Sequence, residues 1–288
     1  MTSRPNLMVA YLATPGGEDA LALGAQLARS FDAELRICLI VPPPTPAEQA
    51  AAPGDFQDVL DRQAGEWLSD ALASVPDDVV AQGYVAEHEN AAEGLEAEAA
   101  KAGSSLIVVG GSGGGLLGRH SLGTVVTNLL HVSTTPVVVT PRGMREIAGP
   151  VRRITCMIGA RPGADALLRA AADAAARAGV PLRLLSLLPL DESGDQKSAD
   201  VRQAAQSHLD AVVAQAADAL PEHQPISTEI ASGRTVEEAV SALTWEPGDV
   251  VYVGSSRLAQ PRHLFLGSTA AKMLRILATP MIVVPRDA

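Results

Sequence analysis

The sequence predicts an α/β protein made of two tandem copies of one domain, each a five-stranded parallel sheet with helices on both faces. Two observations carry this. Short apolar, β-rich runs alternate with longer amphipathic stretches along the chain, which is the pattern of right-handed βαβ units. The chain also repeats itself. Ser104-Ser105-Leu106-Ile107-Val108-Val109-Gly110 aligns with Gly248-Asp249-Val250-Val251-Tyr252-Val253-Gly254 at a separation of 144 positions. Gly123-Thr124 aligns with Gly267-Ser268, and Thr135-Pro136 with Thr279-Pro280, at the same separation.

In the first copy, strands are expected at residues 7–12, 35–41, 79–85, 106–109 and 136–140, where β-branched residues concentrate between turn signals. Helical periodicity covers residues 19–31, 56–74, 91–102 and 124–132. The second copy repeats the strands near residues 154–158, 182–188, 226–230, 250–253 and 281–284. Pro, Gly and charge break the apolar pattern at residues 141–150, so the domains are read as 1–143 and 150–288. A joint that short keeps the halves as close neighbours. Their last strands, residues 137–139 and 281–284, are expected to meet edge to edge about a pseudo-two-fold axis, an intramolecular pseudo-dimer.

Composition narrows the function classes. The chain has 288 residues, 47% hydrophobic and 19% charged, which suits compact domains and not a long disordered tail. With 22 Lys and Arg against 33 Asp and Glu, its net charge of −11 opposes nucleic-acid binding, which depends on phosphate neutralisation. Aromatics at 3% supply little for base-stacking platforms. Cys38 and Cys156, both in strand patterns, read as reduced, buried thiols, which with the absence of a leader pattern gives a cytoplasmic expectation. Residues 7–13 are too short and lack the basic start of a signal peptide, and neither a membrane span nor a metal-ligand cluster is expected.

The informative segment runs from Gly110 through Gly111, Ser112, Gly113 and on to Gly123-Thr124, after the fourth strand and into a helix. Glycines there permit close approach of a ligand to the main chain, and free N–H groups at a helix start favour phosphate. The spacing Gly110-x2-Gly113-x9-Gly123-Thr124 reproduces, without a gap, the nucleotide-binding signature of the universal stress proteins. Both copies resemble that family: alternating β/α units, a long fourth-strand loop, and a short last strand introduced by Thr-Pro.

The resemblance implies a Rossmann-like sheet of the adenine-nucleotide alpha-hydrolase type, with strand order 3-2-1-4-5. It implies a regulatory, stress-response role and, in some members, bound ATP. Carried over by residue, Gly110 lies near the ribose, Gly113 and Gly123 present N–H groups to phosphates, Thr124 adds a hydroxyl, and Val41 contacts adenine; Ser112 lies in the same loop. The second-copy counterparts are Gly254, Arg257, Gly267 and Ser268. ATP-binding members carry an Asp at the end of the first strand, where this chain has Leu12 in copy one and Gly159 in copy two. Ribose and Mg²⁺ contacts at that point are therefore left open. Arg257 replaces a signature glycine, a cost of about 1 to 2 kcal/mol if positive φ is needed, and a charge-assisted bond to phosphate offsets a similar amount. Copy one is the expected site.

Other patterns carry less. Gly113-x-Gly115-x-x-Gly118 fits a dinucleotide fingerprint, but no acidic residue follows between positions 119 and 145 to hold a ribose. No Walker motif occurs. Pro15-Gly16-Gly17-Glu18-Asp19 weakly matches the loop of adenylating PP-loop enzymes, a distant alternative. His120 and His263 lie in the two glycine loops beside Arg119 and Arg262. Trp67 and Trp245 fall on helical patterns as packing residues. The sequence reading is thus a nucleotide-binding regulatory module with ATP or a related nucleotide as ligand and no catalytic residues. A protein-interaction scaffold of the same fold, with an unidentified protein partner and no nucleotide, is the alternative.

Overall fold

The computed structural model describes residues 4–44, 55–111, 123–147, 149–159, 164–189, 195–256, 259 and 262–286. The first copy runs β1 (Asn6–Ala10), α1 (Pro15–Phe31), β2 (Glu34–Val41), α2 (Asp55–Ser74), β3 (Ala81–Glu87), α3 (Ala91–Ala102), β4 (Leu106–Gly110), α4 (Thr124–Val132) and β5 (Val137–Thr140). A 3-10 turn (Met144–Glu146) leads to the second copy: β6 (Arg153–Met157), α5 (Asp165–Ala178), β7 (Leu182–Pro189), α6 (Asp195–Ala219), β8 (Ile226–Gly233), α7 (Val236–Ser241), β9 (Asp249–Gly254), α8 (Ser268–Ile276) and β10 (Met281–Val284).

All ten strands form one sheet in the order β3-β2-β1-β4-β5-β10-β9-β6-β7-β8, so each copy has the 3-2-1-4-5 arrangement. Pairing is parallel within each copy. Between copies, β5 and β10 pair antiparallel, with Val139 opposite Met281, Val138 opposite Ile282 and Val137 opposite Val283. The expected edge-to-edge meeting of the last strands is present. Both strands are buried along their whole length, so each copy covers the other's apolar edge.

Strand alternation divides the core in two. Leu7, Val9, Ile37 and Val108 point to the face covered by α1, α2, α5 and α6; Met8, Cys38, Ile107 and Val109 point to the face of α3, α4, α7 and α8. Local chemistry sets the helix ends. The Thr14 hydroxyl accepts from the Gly17 N–H at 3.2 Å with Pro15 opening α1, and Asn90 Oδ1 accepts from the Ala92 and Glu93 N–H groups at α3. Gly103 and Gly179 close α3 and α5 in the left-handed conformation.

The structure corrects several boundaries. Helix α1 begins at Pro15 and not at residue 19, because Thr14 caps it. Strand β1 ends at Ala10, since Leu12 turns back to accept the Thr14 N–H at 2.7 Å. Strand β3 is displaced to Ala81–Glu87, because the Val79 N–H closes a turn onto the Pro76 carbonyl. Trp245 is not helical. It lies between α7 and β9, where its indole N–H donates to the Val240 carbonyl at 3.0 Å and the Arg183 guanidinium lies 4.6 Å above its ring. Both cysteines are buried and free, and burial pushes their thiols up, Cys38 to about 11 and Cys156 to about 12. Among the described residues no helix is long and apolar enough to cross a membrane.

Candidate nucleotide-binding cleft

In copy one the chain leaves β1 toward β2 and β3 and later returns on the other side of β1 as β4. The crevice beyond the carboxyl ends of β1 and β4 is therefore a topological switch point, the place where open α/β sheets bind ligands. A cavity of about 610 Å³ lies there. Ala10, Cys38 and Val109 form its floor, Ile40, Ala91 and Leu95 one wall, and the start of α4 from Gly123 to Val126 another. The β1–α1 turn, with Leu12, Thr14 and Gly16, closes the remaining side.

The glycines of this crevice have separate tasks. A Cβ on Gly110 would overlap the Gly16 carbonyl, and one on Gly16 would overlap the Gly111 carbonyl. The end of β4 and the start of α1 thus touch backbone to backbone, a fit that any side chain would destroy. Gly110 is needed for this contact whether or not a ligand is present. Gly17 is held the same way, against the Leu12 carbonyl. Gly123 has an ordinary φ of −70° and serves as the N-cap of α4, where its carbonyl accepts the Thr127 N–H at 2.9 Å.

Helices α1, α3 and α7 each have a side chain bonded to their first N–H groups, whereas α4 and α8 begin at glycines with no such bond. Helix α5 also lacks one, at Ala164. At α4 the uncapped turn lines the cavity, so its N–H donors and positive dipole end face the space a ligand would take, with the exposed Thr124 beside them. Gly110, Gly123 and Thr124 are brought together on this cavity. Ser112 and Gly113 lie outside the described residues, as do Arg119 and His120.

Val41 is a correction. Its side chain packs into the α1/α2 core, its carbonyl accepts the His88 N–H at 3.0 Å, and it does not line the cavity. Strand alternation turns Cys38 and Ile40 toward the cavity instead. Leu12 lies at the mouth, 51% exposed, in the place of the Asp that the resemblance leads one to expect. The described walls carry neither a carboxylate nor a cationic side chain. Among the described residues no cluster of three or more His, Cys, Asp or Glu is positioned to hold a metal ion.

The acidic part of the Pro15-Gly16-Gly17-Glu18-Asp19 string has a structural role. Buried Asp19 accepts the backbone N–H groups of Gly143 at 2.9 Å and Arg145 at 3.0 Å, which pins the inter-copy linker to α1. Its carboxylate is spent there and is not presented to the crevice, contrary to the adenylating-enzyme alternative. Thr14, Gly16, Cys38 and Leu95 were not singled out as cavity residues in the sequence reading. The Thr14-Pro15-Gly16-Gly17 string, a cap followed by two glycines after β1, is the signal available for the first two of these.

In copy two the loop after β9 is engaged in other contacts. The Ser255 hydroxyl accepts the Phe265 N–H at 2.8 Å, and the Ser256 N–H donates to the Phe265 carbonyl at 2.8 Å. Beyond it the Leu264 N–H donates to the Ser133 carbonyl at 2.8 Å and the Leu266 N–H to the Leu130 carbonyl at 3.1 Å, both at the C-terminal end of α4. The Phe265 ring meets His131 edge-on, with centroids 5.0 Å apart. Gly254 ends β9, and Gly267 and Ser268 open α8, where a Cβ on Gly267 would press on the Ser256 side chain at 3.3 Å. Arg257 lies outside the described residues. Gly159, the counterpart of Leu12, has its carbonyl 3.2 Å from His208 Nε2.

Comparison with known proteins agrees with this architecture. The sequence profile of the Universal stress protein family matches residues 4–141 and 150–285. Universal stress proteins Rv2319c of Mycobacterium tuberculosis and Mb2346c of Mycobacterium bovis are each 25% identical over 290 residues, which covers 97% of this chain and 99% of theirs. The crystal structure of a universal stress protein from Archaeoglobus fulgidus superposes with a TM-score of 0.64 at 18% identity, covering 97% of this chain and 98% of that one. The chain belongs to the universal stress protein family, as a tandem pair of its domains.

Proposed function

We propose that the protein is a regulatory module that binds ATP or a related adenine nucleotide in the copy-one crevice. The observation that carries this reading is the uncapped first turn of α4 opening onto a 610 Å³ cavity at the switch point of the sheet. Apolar groups from Ile40 and Leu95 to Val125 suit the faces of a purine, and the α4 N–H groups with the Thr124 hydroxyl suit a phosphate. The described walls supply no carboxylate to orient water and no ligand set for Mg²⁺, so binding and not turnover is the function proposed. Leu12, apolar and exposed at the mouth, favours the second reading, an interaction scaffold without nucleotide.

The test is to release bound material from freshly purified protein with acid and identify it by mass, then titrate the stripped protein with ATP and AMP, with and without Mg²⁺. The proposal expects saturable binding that Mg²⁺ changes little. Absence of binding to either nucleotide, with the fold intact, leaves the scaffold reading.

A further inference from the structure

Helix α4 is nine residues long, roughly 14 Å at 1.5 Å per residue, and its two ends serve different copies. Its first turn, Gly123 to Val126, lines the copy-one cavity with N–H groups that no side chain caps. Its far end holds copy two: the Leu130 carbonyl accepts the Leu266 N–H at 3.1 Å, and the Ser133 carbonyl, just past the helix, accepts the Leu264 N–H at 2.8 Å. Between those two donors the Phe265 backbone is fixed by the residues that follow β9. The Ser255 hydroxyl accepts its N–H at 2.8 Å, and its carbonyl accepts the Ser256 N–H at 2.8 Å. Segment 264–266 then runs directly into Gly267, the N-cap of α8.

Between these ends the helix behaves as one body. Val126, Leu129 and Leu130 are buried in the core, so its middle is packed and neither end moves alone. Helix α3 braces it: Ala91 and Leu95 line the cavity, and Glu96 accepts the Ser133 hydroxyl at 2.5 Å and the Thr134 N–H at 2.8 Å at the other end. Leu264 is fully buried in the same core. A helix this short takes much of its order from its surroundings, and its peptide dipoles add end to end. An anion at the first turn satisfies the open N–H groups and, through the aligned hydrogen bonds, strengthens the last carbonyls as acceptors. Those acceptors are the ones that hold copy two.

We propose that α4 relays occupancy of the copy-one crevice to copy two: an anion at its start fastens segment 264–266 to its end, and with it the entry to α8. The ligand side of this relay rests on the nucleotide reading of the crevice, whereas the relay itself is a property of the helix. By linkage, whatever loosens segment 264–266 weakens the hold on the anion in return.

The experiment is amide hydrogen exchange on the full chain, resolved by residue, for the parent with and without saturating ATP and for Gly123→Asp without nucleotide. In Gly123→Asp the new carboxylate takes the place of the ligand's phosphate at the N-cap. Exchange at Leu264 and Leu266 is expected to slow about three- to fivefold in both cases, the worth of one helix cap. The reference amides are Leu182 and Ala239, which donate to the Pro225 and Thr235 carbonyls elsewhere in copy two and should keep their rates. Uniform slowing across copy two, or no change at Leu264 and Leu266 in either sample, would overturn the relay. Protection in Gly123→Asp, in a protein whose parent binds no ATP by calorimetry, would support the relay and remove the nucleotide reading. The ATP arm needs no substitution, so it decides the matter even if the variant fails to fold.

Discussion

Gly110 and Gly123 show how two glycines of one motif answer to different physics. Gly110 is fixed by the Gly16 carbonyl, so Gly110→Ala forces apart β4 and α1 and should cost about 2 to 4 kcal/mol, read as a lower urea midpoint with or without nucleotide. Gly123 is an N-cap with ordinary φ, so Gly123→Asp should leave the fold intact. Its carboxylate would cap the free N–H groups, raise stability by a few tenths of a kcal/mol to about 1 kcal/mol, and occupy the phosphate position. Stability should therefore rise while nucleotide affinity falls at least about tenfold. A fall in both, by thermal melting and calorimetry, would mean that Gly123 is needed for the fold itself. The buried thiols set an alkaline limit. Their folded pKa values, about 11 for Cys38 and about 12 for Cys156, lie above the ordinary thiol value, so the folded state holds protons that the unfolded state gives up. This contribution is complete below the ordinary thiol pKa near 9 and is lost as pH climbs through about 11 to 12. Urea midpoints should fall between pH 8.5 and roughly 11, and less steeply in Cys156→Ala than in the parent protein when each is referred to its own pH 8.5 value.

At the scale of elements, helix α4 has a different partner at each end. Its N-terminus opens on the cavity, and its last carbonyls, at Leu130 and Ser133, accept N–H groups from the copy-two segment around Phe265. Glu96 of α3 also accepts the Ser133 hydroxyl at 2.5 Å and the Thr134 N–H at 2.8 Å, so the C-terminal end of α4 is held from both copies. Phe265→Ala should remove the ring contact with His131 and cost about 1 to 2 kcal/mol, with faster amide exchange at Leu264 and Leu266 as the local readout. This end of the helix was not legible in the sequence, because Leu130 and Leu264 come from different copies and no local pattern joins them. The start was legible, since a glycine-threonine pair after a long loop is a local signal. Helices α3 and α4 match the expected spans because Asn90, Gly103 and Gly123 mark their ends, whereas Thr14 and Pro15 start α1 ahead of the expected residue 19. Val41 shows the limit of reading a site by position along a strand. One residue of alternation separates a cavity wall, Ile40, from the opposite core.

The molecule as a whole is one ten-stranded sheet in which β5 and β10 are central, although each is the last strand of its own copy. Amide exchange should accordingly be slowest in β4, β5, β9 and β10 and fastest in the outer strands β3 and β8. Exchange in β5 and β10 at the rate of the outer strands would show that the copies are not joined along this edge. The repeat made the pairing legible, because two equivalent apolar edges in one chain can satisfy each other. The differences between the copies were only partly legible. The sequence marks Arg257 and Leu12, but not that the copy-two segment around Phe265 bonds to the end of α4. With this asymmetry the proposed nucleotide reading is one of stoichiometry, a single nucleotide per chain at the start of α4. Titration calorimetry of the stripped protein with ATP, on the parent, Gly123→Asp and Gly267→Asp, tests it most directly. One site per chain is expected, weakened at least about tenfold by Gly123→Asp and retained in Gly267→Asp; two sites per chain, or loss of binding through Gly267→Asp alone, would rule out the copy-one site.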